Sequence, residues 1–426
     1  MRYLYSLIFI MVLPFVFLRL LWRSLRVPAN RQRWLERVGL FKLPDVKPHG
    51  LWIHAVSVGE VVAAVPLIKA LQQKFPDLNL TVTTTTATGS QRLRQSLGNS
   101  ITHVYMPYDI PCAINSFLQR IQARCLIIME TELWPNLLHV CRSKNIPILV
   151  ANGRLSDHSF KMYGKIKGFM SKMLQNVSYV AAQSQMDAER FRQLGLAEDK
   201  LRVSGNLKFE VNVAEAQRKA GLDLKAKLGP RLVWVAASTH AGEEEQSLAA
   251  FKTIKTRIPQ CLLILVPRHP DRFNEVMKLL DKHGMSYICR SKGTECTPDT
   301  EVLMGDTMGE MNIFYAAADL AFVGGSLIDM GGHNLLEPAA LGVPSLTGPY
   351  FSNFKEITEK LLQAGGLCVV QDREQLAAKV IEWLELNSAS RKEIGARGLA
   401  VIEQNRGAIS NLMSIITTLL SYQDRA

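Results

Sequence analysis

The sequence predicts two doubly wound α/β domains in tandem, preceded by an N-terminal membrane-anchor helix. Three observations predict it. Short apolar runs alternate with amphipathic stretches in two successive sets, a polar, Ala- and Lys-rich stretch from Val211 to Pro230 separates the sets, and residues Tyr3 to Leu18 carry no charge. A chain of 426 residues suits two domains better than one core. With 47% hydrophobic and 21% charged residues it is a folded chain, which excludes disordered and fibrous classes.

The first element is the anchor. From Tyr3 to Trp22 the run is just long enough to span a bilayer if Arg19 snorkels, with Pro14 as a kink; a helix lying in the interface is the alternative. No small-x-small cleavage site follows, which disfavours a signal peptide. Between Met1 and Lys42 the only acid is Glu36, against Arg2, Arg19, Arg23, Arg26, Arg31, Arg33, Arg37 and Lys42. The positive-inside rule then puts everything from Arg23 onward in the cytoplasm, with the body at the membrane's cytoplasmic face.

The first domain, residues 23–210, reads as strands at Leu51–Ala55, Leu80–Thr85, Ile101–Tyr105, Cys125–Met129, Pro147–Ala151, Tyr179–Ala182 and near Val203. Its helices include Glu60–Phe75, Pro135–Ser143 and Ser159–Gln175. Residues 211–230 read as a linker. The second domain, 231–426, has strands at Leu232–Ala236, Leu262–Val266, Tyr287–Cys289, Val302–Met304, Leu320–Val323 and Val343–Leu346. A largely helical tail follows from Glu374, and its last helix has room to cross back onto the first domain. In such domains ligands sit at the carboxyl ends of the strands, facing a cleft.

Composition narrows the chemistry. A net charge of +12 suits an anionic partner: nucleic acid, an acidic membrane surface or a phosphorylated substrate. The seven cysteines form no C-x-x-C pair, a pattern of a reduced compartment. Neither H-E-x-x-H nor Asp-x-Asp occurs, so neither a zinc peptidase nor a transferase with a carboxylate-held metal is indicated, and no cofactor is expected.

Strand-end polar residues are the candidates. Ser57-Val58-Gly59-Glu60 opens a helix, and Glu60 reads either as a general base or as a first-turn acid complementing the helix dipole. Glu130 and Glu132 end an apolar strand before Pro135; they suit acid/base work, or capping and an internal ion pair, with Glu130 the better functional candidate. Lys208 reads as an anion stabiliser or a solvated linker lysine. Arg268 and His269, between Pro267 and Pro270, read as a phosphate clamp or a structural ion pair. The glycine-dense loops around Gly305–Met311, Gly324–Ser326 and Gly331–Pro338 precede helix starts whose N–H groups favour a phosphate. Asn334 with Glu337 three residues on also reads as a capping-box-like start.

Taken together, Trp52–Glu60, Glu130–Asn136, Asn152–Ser156, Gly205–Lys208, Pro267–Pro270, Gly305–Glu310 and Gly332–Pro338 resemble one family, the 3-deoxy-D-manno-octulosonic acid (Kdo) transferases of lipopolysaccharide assembly. The resemblance runs through nearly the whole chain. It implies a GT-B glycosyltransferase fold, a CMP-Kdo donor, the lipid A precursor lipid IVA as acceptor, inversion at the Kdo anomeric carbon and no metal requirement. It also implies Glu60 as base, Glu130 and Lys208 as transition-state stabilisers, and CMP held by Arg268, His269, Gly309, Glu310, Met311, Asn334, Leu335, Leu336 and Glu337. His333 receives no role from it. The expected partners are therefore the donor, the acceptor and membrane lipids, with no nucleic acid. Two alternatives stay open: another nucleotide-sugar transferase or epimerase on the same fold, and a membrane-tethered scaffold without turnover.

Overall fold

In the computed structural model, which describes residues 1–26, 33–41, 49–293 and 295–423, the chain forms two compact units. The first holds Met1–Glu210 with Arg406–Ala426, the second Val211–Asn405.

Seven strands make the first unit's sheet: β1 (Leu51–His54), β2 (Leu80–Thr84), β3 (Thr102–Tyr105), β4 (Cys125–Met129), β5 (Ile148–Gly153), β6 (Tyr179–Ala182) and β7 (Leu201–Val203). They pair in parallel in the order β3-β2-β1-β4-β5-β6-β7. The apolar runs follow from burial on both faces: Leu51, Ile53, Ile127 and Met129 enter one core, while Trp52, Leu126 and Ile128 enter the other. The order reverses direction between β1 and β4, so the loops after these strands flank the crevice where such sheets bind ligands.

The second unit repeats the plan with β8 (Val233–Thr239), β9 (Leu262–Pro267), β10 (Tyr287–Cys289), β11 (Val302–Met304), β12 (Leu320–Val323), β13 (Ser345–Thr347) and β14 (Leu367–Val369). Their order is β10-β11-β9-β8-β12-β13-β14, and the reversal falls between β8 and β12.

Three expectations change and one, the tail, is met. Residues 211–230 are not an open linker: Glu215–Leu228 is a helix of the second unit packed on helix Met311–Ala317. Its buried side is narrow, made of Gly221, Leu224 and Leu228, with Gly221 so close to Ala316 that a Cβ would lie 2.3 Å from the alanine methyl, so no wide apolar stripe advertises it. The helix expected over Ser159–Gln175 divides into Asp157–Gly164 and Lys167–Leu174. The tail resolves into helices Arg373–Glu385, Ser388–Asn405 and Ala408–Gln423. The last belongs to the first unit and packs on helix α2 (Val58–Lys74), with Ala408, Leu412 and Ile416 buried in the core that holds Leu67 and Leu71.

The third change concerns the anchor expected at residues 1–22. Helix α1 covers Arg2–Arg26, but among the described residues no helix is long and apolar enough to cross a membrane. The uncharged stretch between Arg2 and Arg19 reaches only about 24 Å at the helical rise, short of the ~30 Å hydrocarbon core. The helix is fastened to its unit by Ser6, which hydrogen-bonds Asn136, while Tyr3, Leu4, Leu7, Ile8, Met11, Phe15 and Leu18 face outward. Of the basic stretch expected to meet lipid, Arg33 donates to the His103 carbonyl and Arg37 to that of Thr85, both over the Tyr105 ring, so these two serve the fold. The Arg31 and Lys42 positions lie outside the described residues.

Candidate active site

The crevice of the first unit gathers three carboxylates. Ser57 caps α2, its hydroxyl accepting the Glu60 N–H, and Glu60 reaches back so that its carboxylate accepts Val56 N–H at 2.8 Å, Ser57 N–H at 3.2 Å and the Ser57 hydroxyl at 2.8 Å. Both sequence readings of Glu60 therefore meet in one residue: it completes a capping box and it is a buried acid at a strand end. Burial pushes its carboxyl up to about 7 against the pull of the Val56 and Ser57 hydrogen bonds, and the charges of Glu130 and Glu132 push the same way. A carboxyl poised there suits a general base at neutral pH.

Glu130 stands directly after β4 with φ 56°, a left-handed conformation that costs a residue with a Cβ roughly 1 kcal/mol or more. Its N–H continues the ladder to the Ala151 carbonyl, while its carboxylate makes no hydrogen bond or ion pair among the described residues. Glu132 differs, since its carboxylate accepts the Trp134 indole N–H at 3.0 Å. The strained backbone thus presents a free Glu130 beside a committed Glu132.

Lys208 is not a linker lysine. It sits in the 3-10 turn Leu207–Phe209, which follows β7 and packs against α2. Two asparagines fix the turn: Asn152, itself at φ 56°, accepts the Leu207 N–H, and Asn206 accepts the Lys208 N–H. The half-buried Lys208 is thereby held on the element that carries Glu60.

In the second unit, β9 runs into Arg268 and His269, both exposed, and the Arg268 guanidinium makes no hydrogen bond or ion pair among the described residues. The structural ion pair there belongs to Arg272, with Glu244 and Glu275. Gly309 has φ 82° and Glu310 precedes helix Met311–Ala317; the Glu310 side chain is held by Arg290 and by the Thr307 hydroxyl. Asn334 accepts the Leu336 N–H and donates to Glu337 at 3.1 Å. The N-cap of helix Leu336–Ala340 is Leu335, so the pair braces the helix entry without forming the expected capping box. Leu335 and Leu336 point into the core, which leaves only their backbone for a ligand.

One glycine loop departs from its sequence reading. The N–H groups of Gly325, Ser326 and Leu327, expected to favour a phosphate, all donate to the Glu243 carboxylate at 2.7–2.9 Å. An internal anion fills this nest, and Gly324 is required because a Cβ would lie 2.8 Å from a Glu243 oxygen. Glu243 went unrecognised, as did His240, although the polar Ser238-Thr239-His240 that closes the apolar run from Leu232 was the available signal.

A family model described as 3-deoxy-D-manno-octulosonic-acid transferase (kdotransferase) matches residues 32–211, and one for glycosyl transferases group 1 matches residues 230–400. The chain is 40% identical over 421 residues to the 3-deoxy-D-manno-octulosonic acid transferase of Haemophilus influenzae, covering 98% of this chain and 99% of that one. Among solved structures it is similar to the C-terminal CMP-Kdo binding domain of WaaA from Acinetobacter baumannii, at 33% identity over 44% of this chain and 98% of that one, with a TM-score of 0.42. It shares the fold of UDP-GlcNAc 2-epimerase from Neisseria meningitidis, at 14% identity, a TM-score of 0.55, and coverage of 88% of this chain and all of that one. Two Rossmann-like units with such a neighbour are the GT-B architecture, and the near full-length identity decides the rest: the chain belongs to the 3-deoxy-D-manno-octulosonic acid transferase family.

Proposed function

We propose that this glycosyltransferase moves Kdo from CMP-Kdo to the lipid A precursor lipid IVA in lipopolysaccharide biosynthesis, with inversion at the anomeric carbon and Glu60 as general base. The observation that carries the base assignment is the buried Glu60 carboxyl, raised to about 7 and set beside the unengaged Glu130. Glu60 takes the proton of the attacking sugar hydroxyl as the oxygen bonds to the anomeric carbon. The anomeric bond to CMP breaks with its electron pair on the phosphate oxygen. Glu130 and Lys208 balance the charge that develops about the sugar. Arg268 and His269, with the backbone of residues 309–311 and 334–337, bind the CMP phosphate and nucleoside; a free guanidinium at a strand end supplies the two-pronged contact such an anion takes.

The outward apolar side of Arg2–Arg26, from Tyr3 to Leu18, supports an interfacial seat on a membrane, with the catalytic body at the cytoplasmic face of the inner membrane. An acylated, phosphorylated acceptor requires such a seat.

The test mixes purified protein with freshly generated CMP-Kdo and tetra-acylated lipid A precursor, then determines product mass and the anomeric configuration of the new linkage by NMR. A gain of whole Kdo units with inverted configuration is expected. Retained configuration would remove Glu60 from the role of base in a single displacement, and no product from folded protein would remove the substrate assignment.

A further inference from the structure

In the second unit the crevice between β8 and β12 is bridged by two histidines that the CMP assignment does not use. His240 follows β8 directly. The His333 ring lies against Gly325, just beyond β12, where a Cβ would come within 2.8 Å of its Cδ2, so the glycine at φ 67° is what admits the ring. The two Nε2 atoms are 2.8 Å apart, the ring planes differ by 12° and the centroids are 5.0 Å apart. With nitrogens that close and centroids that far, the rings meet edge to edge in nearly one plane.

That geometry restricts their protons. A contact between two imidazole nitrogens needs one N–H and one bare nitrogen, so the pair holds a single proton on this axis, and a second would set two N–H groups against each other. The rings therefore titrate as one unit. The groups facing the pair are Glu243 from helix Glu243–Arg257, and Arg268, His269 and Arg272 from the segment after β9. The Glu243 carboxylate is committed to backbone N–H groups and Arg272 to Glu244 and Glu275. Arg268 remains as an open positive charge, with the His269 ring edge-on to His240 at 5.5 Å between centroids. Burial, Arg268 and the neighbouring histidines lower His333 to about 4, and burial foremost lowers His240, so both shifts favour the neutral ring.

We propose that His240 and His333 form one proton-accepting unit of the nucleotide site, neutral when the site is empty and taking up one proton from solvent as a phosphate monoester dianion settles against them and Arg268. The proposal rests on the reading that CMP is the leaving group. The phosphate carries one negative charge in the donor and two once the anomeric bond has broken, so uptake of a proton matches the charge gained and favours the state after transfer.

Calorimetry of CMP binding at pH 7.5, in two buffers of different ionisation enthalpy, counts the protons. That pH lies above the second phosphate ionisation near ~6. The wild-type chain is expected to take up about one proton per CMP and none with cytidine, and CMP affinity to weaken up to about tenfold per pH unit above neutrality. H240N and H333N each abolish the uptake, and the double variant loses no more than either single one. Thermal melts establish that the variants are folded, and two separate single variants leave the test standing if one is not. CMP binding with no uptake in the wild type, or with uptake retained in H240N and H333N, overturns the proposal while leaving the nucleotide reading intact. No CMP binding at all overturns both.

Discussion

Glu60 carries a cost that can be measured. Its carboxyl rises to about 7 in the folded chain, against 4.5 when free, so between these values the folded state holds a proton that the unfolded state has released. Stability is then greatest below pH 4.5 and falls as pH rises through 7, by about 3 kcal/mol from this group alone. The isosteric E60Q carries no such charge, so its melting temperature at pH 8 is expected to equal or exceed that of the wild type, with the difference vanishing near pH 5; an E60Q that melts well below wild type at pH 8 would show that the capping-box hydrogen bonds outweigh the buried charge. The two neighbouring acids divide differently. Glu130 has a free carboxylate and Glu132 a bound one, so steady-state rates are expected to drop at least about a hundredfold in E130Q and less than about tenfold in E132Q. Arg268 is judged by nucleotide binding: R268K keeps the charge and loses the fork, and a tenfold to hundredfold weaker CMP affinity is expected by calorimetry.

At the scale of elements, the loop after β12 and the loop after β4 show how far a sequence motif reaches. Thirteen of the fourteen described strands were legible because both faces of each sheet are buried, and runs such as Cys125–Met129 have no polar alternation to confuse them, whereas the three-residue edge strand β14 was not read. Glu60, Glu130 and Arg268 were legible as strand-end polar residues. What glycine-rich stretches do was not, because the partner that fills the Gly325–Leu327 nest lies some eighty residues earlier. Nor was the helix Glu215–Leu228, whose packing depends on Gly221 and Ala316 fitting closely and not on a wide apolar stripe. Removing the internal anion makes a sharp test. E243A leaves the N–H groups of Gly325, Ser326 and Leu327 without their acceptor, and a loss of at least about 3 kcal/mol is expected in denaturant titrations.

Across the whole molecule the chain returns to its beginning. Glu210 ends the first unit's main segment, and its carboxylate accepts the N–H groups of Gly407 and Ile409, where the final helix begins. That helix completes the core around α2, in keeping with a last helix that crosses back onto the first domain; where it leaves the second unit could not be drawn from local pattern, since the contacts join residues more than three hundred positions apart. The N-terminal helix is fixed along one side, by Ser6 on Asn136 and Phe9 on Tyr108, and exposes apolar residues along another. Replacing Leu7, Met11 and Phe15 together by Ser is expected to reduce binding to anionic vesicles at least about tenfold in sedimentation assays while leaving the melting temperature within a few degrees, since none of the three enters a core.

The central claim, a buried carboxylate acting as base in Kdo transfer, is tested most directly by single-turnover transfer from CMP-Kdo to the lipid A precursor in wild type and E60Q across pH 5 to 9. The wild-type rate is expected to rise with pH through an ionisation near 7, the value burial gives Glu60, and E60Q, folded at every pH, to fall by at least about a hundredfold with that ionisation gone. Transfer by E60Q within tenfold of wild type, with the same pH profile, would contradict it.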